Sequence, residues 1–284
     1  DTRRLLDSSL TTEPCGMAMT DYIVMFSGGL TSYEAARRAI EAHGHDNVRI
    51  WFSDTNTEDE DLYRFNNDVE RILNHPIEVI DNEGKDVWDI FFKVRLMGNS
   101  RLDPCSAKLK RKPLAKKLKA EYPNPDDAVV VLGMDGIEDC KRTERAAKNQ
   151  LPYKTWFPLL EEPIVMKSHI SRDLKQLGIE RPRLYDLGFS HNNCGGFCVK
   201  AGLGQFAHLL KQLPERYAYH EKKEQEFREF IEKDVSIMRD RRNNETKPMT
   251  MKAFRDRIEG GEKFAYDTGW ECLCFVENSE LEWL

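Results

Sequence analysis

Residues 27 to 32, Ser-Gly-Gly-Leu-Thr-Ser, have the composition of an anion site. Adjacent Gly28 and Gly29 can bring backbone N–H groups against a ligand, Ser27, Thr31 and Ser32 add hydroxyl donors, and a helix starting near Ser32 would add its positive end. The ligand that suits such a cradle is a phosphate. Two familiar phosphate loops do not fit, because G-x-x-x-x-G-K-[ST] needs a lysine and G-x-G-x-x-G needs spaced glycines. A glycine turn capped by a serine is the plainer reading of these six residues taken alone. A second chemistry comes from seven cysteines, Cys15, Cys105, Cys140, Cys194, Cys198, Cys272 and Cys274. An odd number without a secretory leader leads us to expect a reducing, cytoplasmic compartment and thiol or metal chemistry instead of a disulfide framework. A third is electrostatic: KLKRKPLAKKLK, residues 108 to 119, holds seven Lys or Arg and no acid, which suits phosphates or a nucleic acid as well as it suits a solvated helix face.

These residues need elements to place them. YIVMF (22 to 26) is a short apolar run that predicts a buried strand, and SYEAARRAIEAHG predicts a helix stopped by glycine. VRIWFSD (48 to 54), PIEVID (76 to 81) and AVVVLGMDG (128 to 136) predict three more strands, with an acid-led helix from DTNTEDEDLYRFNNDVERIL between the first two. Strands alternating with helices predict a doubly wound parallel sheet, an α/β fold whose ligands sit at the carboxyl ends of the strands. SGGLTS, SDTNTE and GMDGIEDCKRTER all lie at such ends, so one shared nucleotide site is expected. From about residue 206 the chain turns to polar helix with a break at Pro214, which predicts a C-terminal helical extension over 206–284.

Length and charge bound the rest. A chain of 284 residues, 40% hydrophobic and 32% charged, with a mean hydropathy of -0.64 and no long apolar run, excludes a membrane-spanning helix. A net charge of -6 argues against a generally basic nucleic-acid binder. Residues 1–18 lack periodicity and read as a tail, with Met17 or Met19 a natural start, which leaves 19–205 as the sheet domain.

With these motifs in order, the chain resembles the PP-loop ATP pyrophosphatase superfamily, and within it the phosphoadenosine phosphosulfate (PAPS) and adenosine phosphosulfate reductases. S-G-G-x-x-S is matched by Ser27, Gly28, Gly29 and Ser32. SDTNTEDEDLYRF is similar to D-T-G…T-Y-R-F, CSAKLKRKPL to C-C-x-x-R-K…P-L, GMDGIEDCKRTERA to G-x-R-R…T-R-A, and RPRLYDLGFSHNNCGGFC to P-L-Y-x-x-G-Y…C-x-x-C. The resemblance implies an adenine nucleotide alpha hydrolase-like fold that binds ATP with Mg2+, or PAPS. It implies that Ser27, Gly28, Gly29, Leu30, Thr31 and Ser32 bind phosphate and that Asp54 and Thr55 line the nucleotide pocket. Lys110, Arg142 and Arg145 would clamp anionic oxygens, Arg142 and Arg145 by bidentate contacts; an exposed helix face is their plainer reading, as it is for Lys108.

The cysteines depart from the pattern. Where cluster-bearing reductases have a tandem pair, this chain has Cys105-Ser106, and the later motif, Cys194-Gly-Gly-Phe-Cys198, is one residue longer. The resemblance still implies that Cys105, Cys194 and Cys198 ligate a metal, a [4Fe-4S] cluster or zinc, with Cys274 or Cys272 as fourth donor and His191 a further candidate for zinc. The reductases' E-C-G-[LI]-H nucleophile segment is matched only faintly by Trp270-Glu271-Cys272-Leu273-Cys274. The expectation is therefore an enzyme that adenylates a substrate, such as tRNA or DNA, for sulfur transfer from a donor protein. A sulfonucleotide reductase with Cys272 as nucleophile and a redoxin partner is the alternative, and a nucleotide-binding module without turnover is a third.

Overall fold

The structure, a computed structural model, describes residues 20–135 and 140–265. β1 (Asp21–Phe26), β2 (Val48–Ser53), β3 (Ile77–Ile80), β4 (Ala128–Val131) and β5 (Lys154–Trp156) form one sheet in the order β3-β2-β1-β4-β5. Every pairing is parallel, with Phe26 opposite Phe52 on one side of β1 and Val24 opposite Val131 on the other. The expected α/β, doubly wound sheet is present. The short β5, Lys-Thr-Trp, is an added strand too brief for an alternating pattern to announce.

The period-2 geometry of β1 explains why the whole run is apolar. Val24 and Phe26 face a core closed by α1 (Leu30–His43), α2 (Glu60–Leu73) and α7 (Lys167–Gln176), while Ile23 and Met25 face α5 (Lys112–Glu121) and α6 (Cys140–Gln150). With helices on both faces, no position in the strand can be polar at its centre. The chain runs outward from β1 to β3, then returns to place β4 on the other side of β1. The crevice between the ends of β1 and β4 is therefore a topological switch point, where open parallel sheets bind ligands.

A second core lies against the sheet domain. α3 (Val87–Val94), α9 (Leu203–Gln212), α10 (Pro214–Ile231) and α11 (Met251–Glu259) pack Trp88, Phe91, Phe206, Tyr217, Phe227 and Phe254 together with Phe189 and Phe197. The expected boundary at residue 206 falls inside α9, and this core mixes residues from both sides of it. Three short pieces complete the description: α4 (Pro104–Ser106) runs through a π-helical turn, Ala107–Arg111, into α5; α8 (Arg183–Asp186) precedes the cysteine loop; and β6 (Met238–Asp240) pairs with β7 (Lys247–Met249). Among the described residues no helix is long and apolar enough to cross a membrane.

Candidate functional site

The switch-point crevice opens as a cleft lined by Ser27, Gly29, Thr31 and Ser32 from the loop after β1, Ser53 from the end of β2, and Gly133, Met134 and Asp135 after β4. Its cavity volume is about 100 Å3, and the cleft opens to solvent at its mouth. Local bonds explain the loop's shape. The Ser32 hydroxyl donates to the Gly29 carbonyl at 2.9 Å and lies 3.2 Å from both the Gly29 N–H and the Ser27 hydroxyl, so the loop is closed upon its own donors before any ligand arrives. Gly28 has φ +73, and a Cβ there would meet Leu62 at 2.7 Å. Gly133 is needed for a different reason: its Cβ would fall 2.6 Å from the Thr31 carbonyl, so the end of β4 and the start of α1 touch through backbone.

Charge and donors converge on this cleft from four further elements. Lys110 comes from the π-helical turn, Arg142 from α6, Lys167 from the start of α7 and Tyr185 from α8. The Tyr185 hydroxyl accepts from the Leu30 N–H at 3.4 Å, standing over the first turn of α1. Burial pushes its pKa up to about 12, so it stays a neutral O–H donor for an anion seated there. His191 also borders the cleft. Burial first, and then Lys167 and Lys110, hold its pKa down at about 4, so the ring is neutral at pH 7. Its Nδ1 accepts from the Asn193 N–H at 3.3 Å, which leaves the proton on Nε2.

Lys110 lines a second cavity as well. This chamber is bordered by Cys105, Cys194 and Cys198, with Val87, Phe197 and Val199 as its apolar walls and Lys200 buried beside them. Its geometry depends on two adjacent acids. The buried Glu58 carboxylate takes the Cys194 N–H, the Thr55 hydroxyl at 2.9 Å and the Lys110 ammonium at 3.3 Å. Asp59 caps α2 through the Asp61 N–H and pairs with Arg183 at 2.7 Å and Arg216 at 3.2 Å, and Arg216 in turn donates to the Gly195 carbonyl at 2.7 Å. Held this way, Cys194, Gly195 and Gly196 are all left-handed, with φ of 53, 56 and 82. Left-handed backbone at a cysteine is uncommon and is kept here by the bonds around it.

The structure thus gathers Ser27, Gly29, Thr31, Ser32, Lys110 and Arg142 around one cleft, and Cys105, Cys194 and Cys198 around the adjoining chamber. Leu30 is a buried core side chain whose contribution is its N–H. Asp54 and Thr55 are placed away from the cleft lining: Thr55 borders the chamber, and the Asp54 carboxylate accepts from the Asn56 N–H at 2.8 Å and the Tyr63 hydroxyl at 2.9 Å, leaving Ser53 at the cleft. Arg145 is exposed on α6, away from that lining. Ser106, where a tandem pair would have its second cysteine, is buried and accepts from Arg111 at 3.1 Å. Cys15, Cys272 and Cys274 lie outside the described residues.

Sequence reading missed Tyr185, Lys167, Glu58, Asp59, Asn192 and Asn193. The only signal for the last two was a run of four polar residues, Ser-His-Asn-Asn, directly before a cysteine. No protein-family model matches the chain, and no curated protein matches it.

Proposed function

We propose that the chain is an adenine nucleotide alpha hydrolase-like enzyme that binds ATP on the Ser27–Ser32 loop and activates a substrate, such as a nucleic acid, as an adenylate for sulfur transfer or a similar modification. One observation carries the reading: a serine-glycine loop at the switch point of a parallel sheet, faced by Lys110, Arg142 and Lys167. Backbone N–H groups at a helix start and convergent cations are the means by which proteins hold phosphates and stabilise charge that builds on phosphorus. Ser27 and Ser32 would hand hydroxyl donors to the phosphates in place of each other, Tyr185 would donate its O–H, and the neutral His191 would donate from Nε2 without adding charge. Mg2+, as the ion that accompanies ATP, would bind chiefly through the phosphates.

The chamber adjoins that site through Lys110, and its donor set supports a cysteine-held centre. Among the described residues no three His, Cys, Asp or Glu side chains converge closely enough to grip one metal ion. Cys105, Cys194 and Cys198 all border the chamber, and thiolates suit a metal centre of either kind, an iron–sulfur cluster or zinc. Cys105, Cys194 and Cys198 would hold it, with a fourth donor from outside the described residues, and it would supply electrons or a sulfur-binding surface. Thiolate chemistry of this kind fits a reducing, cytoplasmic setting.

The test is a product assay with calorimetry on anaerobically purified protein. Wild type should bind ATP and release pyrophosphate with an acceptor substrate, and Ser27→Ala should weaken nucleotide binding about tenfold without changing the fold. Sulfite release from PAPS, with no pyrophosphate from ATP, would overturn the adenylation reading in favour of a reductase that uses Cys272 and a redoxin. Unchanged affinity for both nucleotides in Ser27→Ala would remove the loop from the site.

A further inference from the structure

Among the described residues, two buried amide oxygens beside the Ser27–Ser32 loop have no hydrogen-bond partner. Asn192 and Asn193 are 1% and 5% exposed, both line the cleft, and the Oδ1 of each is buried without a hydrogen bond. For Asn192 the assignment of oxygen and nitrogen is fixed by its neighbour, because Nδ2 donates to the Gly28 carbonyl at 3.0 Å and a carbonyl can only accept. The side chain is thus tied to the loop by its donor end while its acceptor end is left over. An orphaned buried acceptor costs free energy comparable to a lost hydrogen bond, so a donor brought by a ligand would be stabilising at these two positions.

Phosphate oxygens cannot supply them, being acceptors. In a nucleotide whose phosphates sit on the Ser27–Ser32 loop, the donors nearest the phosphates are the sugar hydroxyls, and an adenine amine lies farther away, across the base. We propose that Asn192 and Asn193 form a ribose subsite, which accepts from the vicinal 2′- and 3′-hydroxyls and so selects ribonucleotides with a free 3′-hydroxyl over 3′-phosphorylated ones. This rests on the nucleotide reading of the cleft. A 3′-phosphate would bring anionic acceptors against two carbonyl oxygens, so the same pair that holds ATP disfavours PAPS.

Calorimetry on the full chain with ATP, 2′,3′-dideoxyATP and PAPS tests it. ATP should bind about tenfold more tightly than dideoxyATP, and PAPS should bind more weakly than ATP. Asn193→Ala should weaken ATP while leaving dideoxyATP unchanged, since the lost hydroxyl and the lost amide remove the same bond. Asn192→Ala should weaken both, because it also frees the Gly28 carbonyl, but should still flatten the difference between them. Equal affinity of wild type for ATP and dideoxyATP, or PAPS binding more tightly than ATP, would overturn the subsite while the nucleotide reading stood. Equal losses for both ligands in Asn193→Ala would also overturn it, by marking a structural role. Failure of all three nucleotides to bind would bring down the nucleotide reading and the subsite with it.

Discussion

The cleft stands on the ends of β1, β2 and β4, whereas the thiol chamber is held by side chains reaching between loops. Ser27, Ser53 and Gly133 need only follow their strands to arrive at the cleft, and the parallel ladder that carries them is shared by the whole sheet. Cys194 reaches the chamber because Glu58 takes its N–H and Arg216 takes the next carbonyl. A ladder fails cooperatively, but a polar side-chain network can be disabled at one member. The chamber should therefore be the more fragile of the two, and the cleft the more tolerant.

Lys110, which lines both cavities, offers the largest perturbation. In Lys110→Met the Glu58 carboxylate keeps its burial and loses its cation, a change that typically costs about 3 kcal/mol or more. Urea denaturation of the variant measures this. A loss below about 1 kcal/mol would mean that the ion pair is not what couples the cavities.

Two glycine substitutions sharpen the contrast. In Gly195→Ala a Cβ would meet the Thr57 carbonyl at 2.8 Å and Arg216 at 1.9 Å, on backbone already at φ +56. The expected loss is about 2 kcal/mol of stability, with nucleotide affinity largely kept. Gly133→Ala instead pushes on the Thr31 carbonyl of the Ser27–Ser32 loop, and on the nucleotide reading it should lower ATP affinity about tenfold. Denaturation and calorimetry on the same pair decide the matter; if Gly195→Ala loses ATP and Gly133→Ala keeps it, the division of labour is reversed. Gly28→Val is a poorer probe of the cleft than the sequence suggests, since its side chain would strike Leu62 in the core.

The same contrast explains what could be read in advance. β1, β2 and β4 declare themselves as apolar runs, and a glycine loop at a strand end implies a ligand, so the cleft's location follows from period and topology. Residues that point backward into it from later elements, such as Tyr185 and Asn192, are ordinary polar residues in sequence. Their roles exist only through contacts with partners about 155 and 164 positions away. The acids of DTNTEDED look like a solvated helix start, yet Glu58 and Asp59 are among the most buried polar groups, because what they bind comes from residues 110, 183, 194 and 216. Asp54 shows the converse: a carboxylate at a strand end suggests a ligand contact, and in the structure its Oδ1 accepts from a turn N–H and from Tyr63 outside the cleft lining.

A smaller effect should appear with pH, in the helical layer behind the chamber. His220 stacks on Phe197 and accepts from the Trp88 indole at 3.0 Å, and burial, with Arg216, holds its pKa down at about 3. Its contribution is full above the unfolded value near 6.5 and is lost as pH falls, by about 2 kcal/mol between pH 7 and pH 5. Glu224 runs the other way: burial raises its pKa to about 7 despite bonds from the Ile237 and Met251 N–H groups, so its stability is present at low pH and lost as pH rises from about 4.5 through 7. The two nearly cancel over that window. Glu224→Gln should therefore expose the histidine, giving a protein that loses about 2 kcal/mol on acidification from pH 7 to pH 5 where wild type changes little. Thermal denaturation across the window checks this, and a flat profile in the variant would show that His220 is not titrating in the unfolded chain alone.

The smallest effect on the fold, and the one that bears on substrate, concerns the basic stretch. Of its seven cations, Lys108 is half-buried, Lys110 lines both cavities and pairs with Glu58 at 3.3 Å, Arg111 pairs with Asp103 at 2.9 Å, and Lys117 pairs with Glu121 at 2.6 Å and Glu78 at 3.2 Å. Lys112, Lys116 and Lys119 stand exposed on α5, the helix that begins directly after the turn carrying Lys110. If a nucleic acid is the substrate, these three are placed to hold its backbone beside the site. Changing all three to Ala should move stability by no more than about 0.5 kcal/mol, since exposed charges contribute little. It should nonetheless weaken tRNA or DNA binding and reduce the slope of log affinity against log salt by about 3, one counterion for each phosphate contact removed. ATP affinity should not change. A salt slope that is identical in the variant would make α5 a solvated face and direct the search for the acceptor to small molecules, whereas a reduced slope with intact ATP binding would separate the place where the nucleotide is held from the place where the polyanion docks.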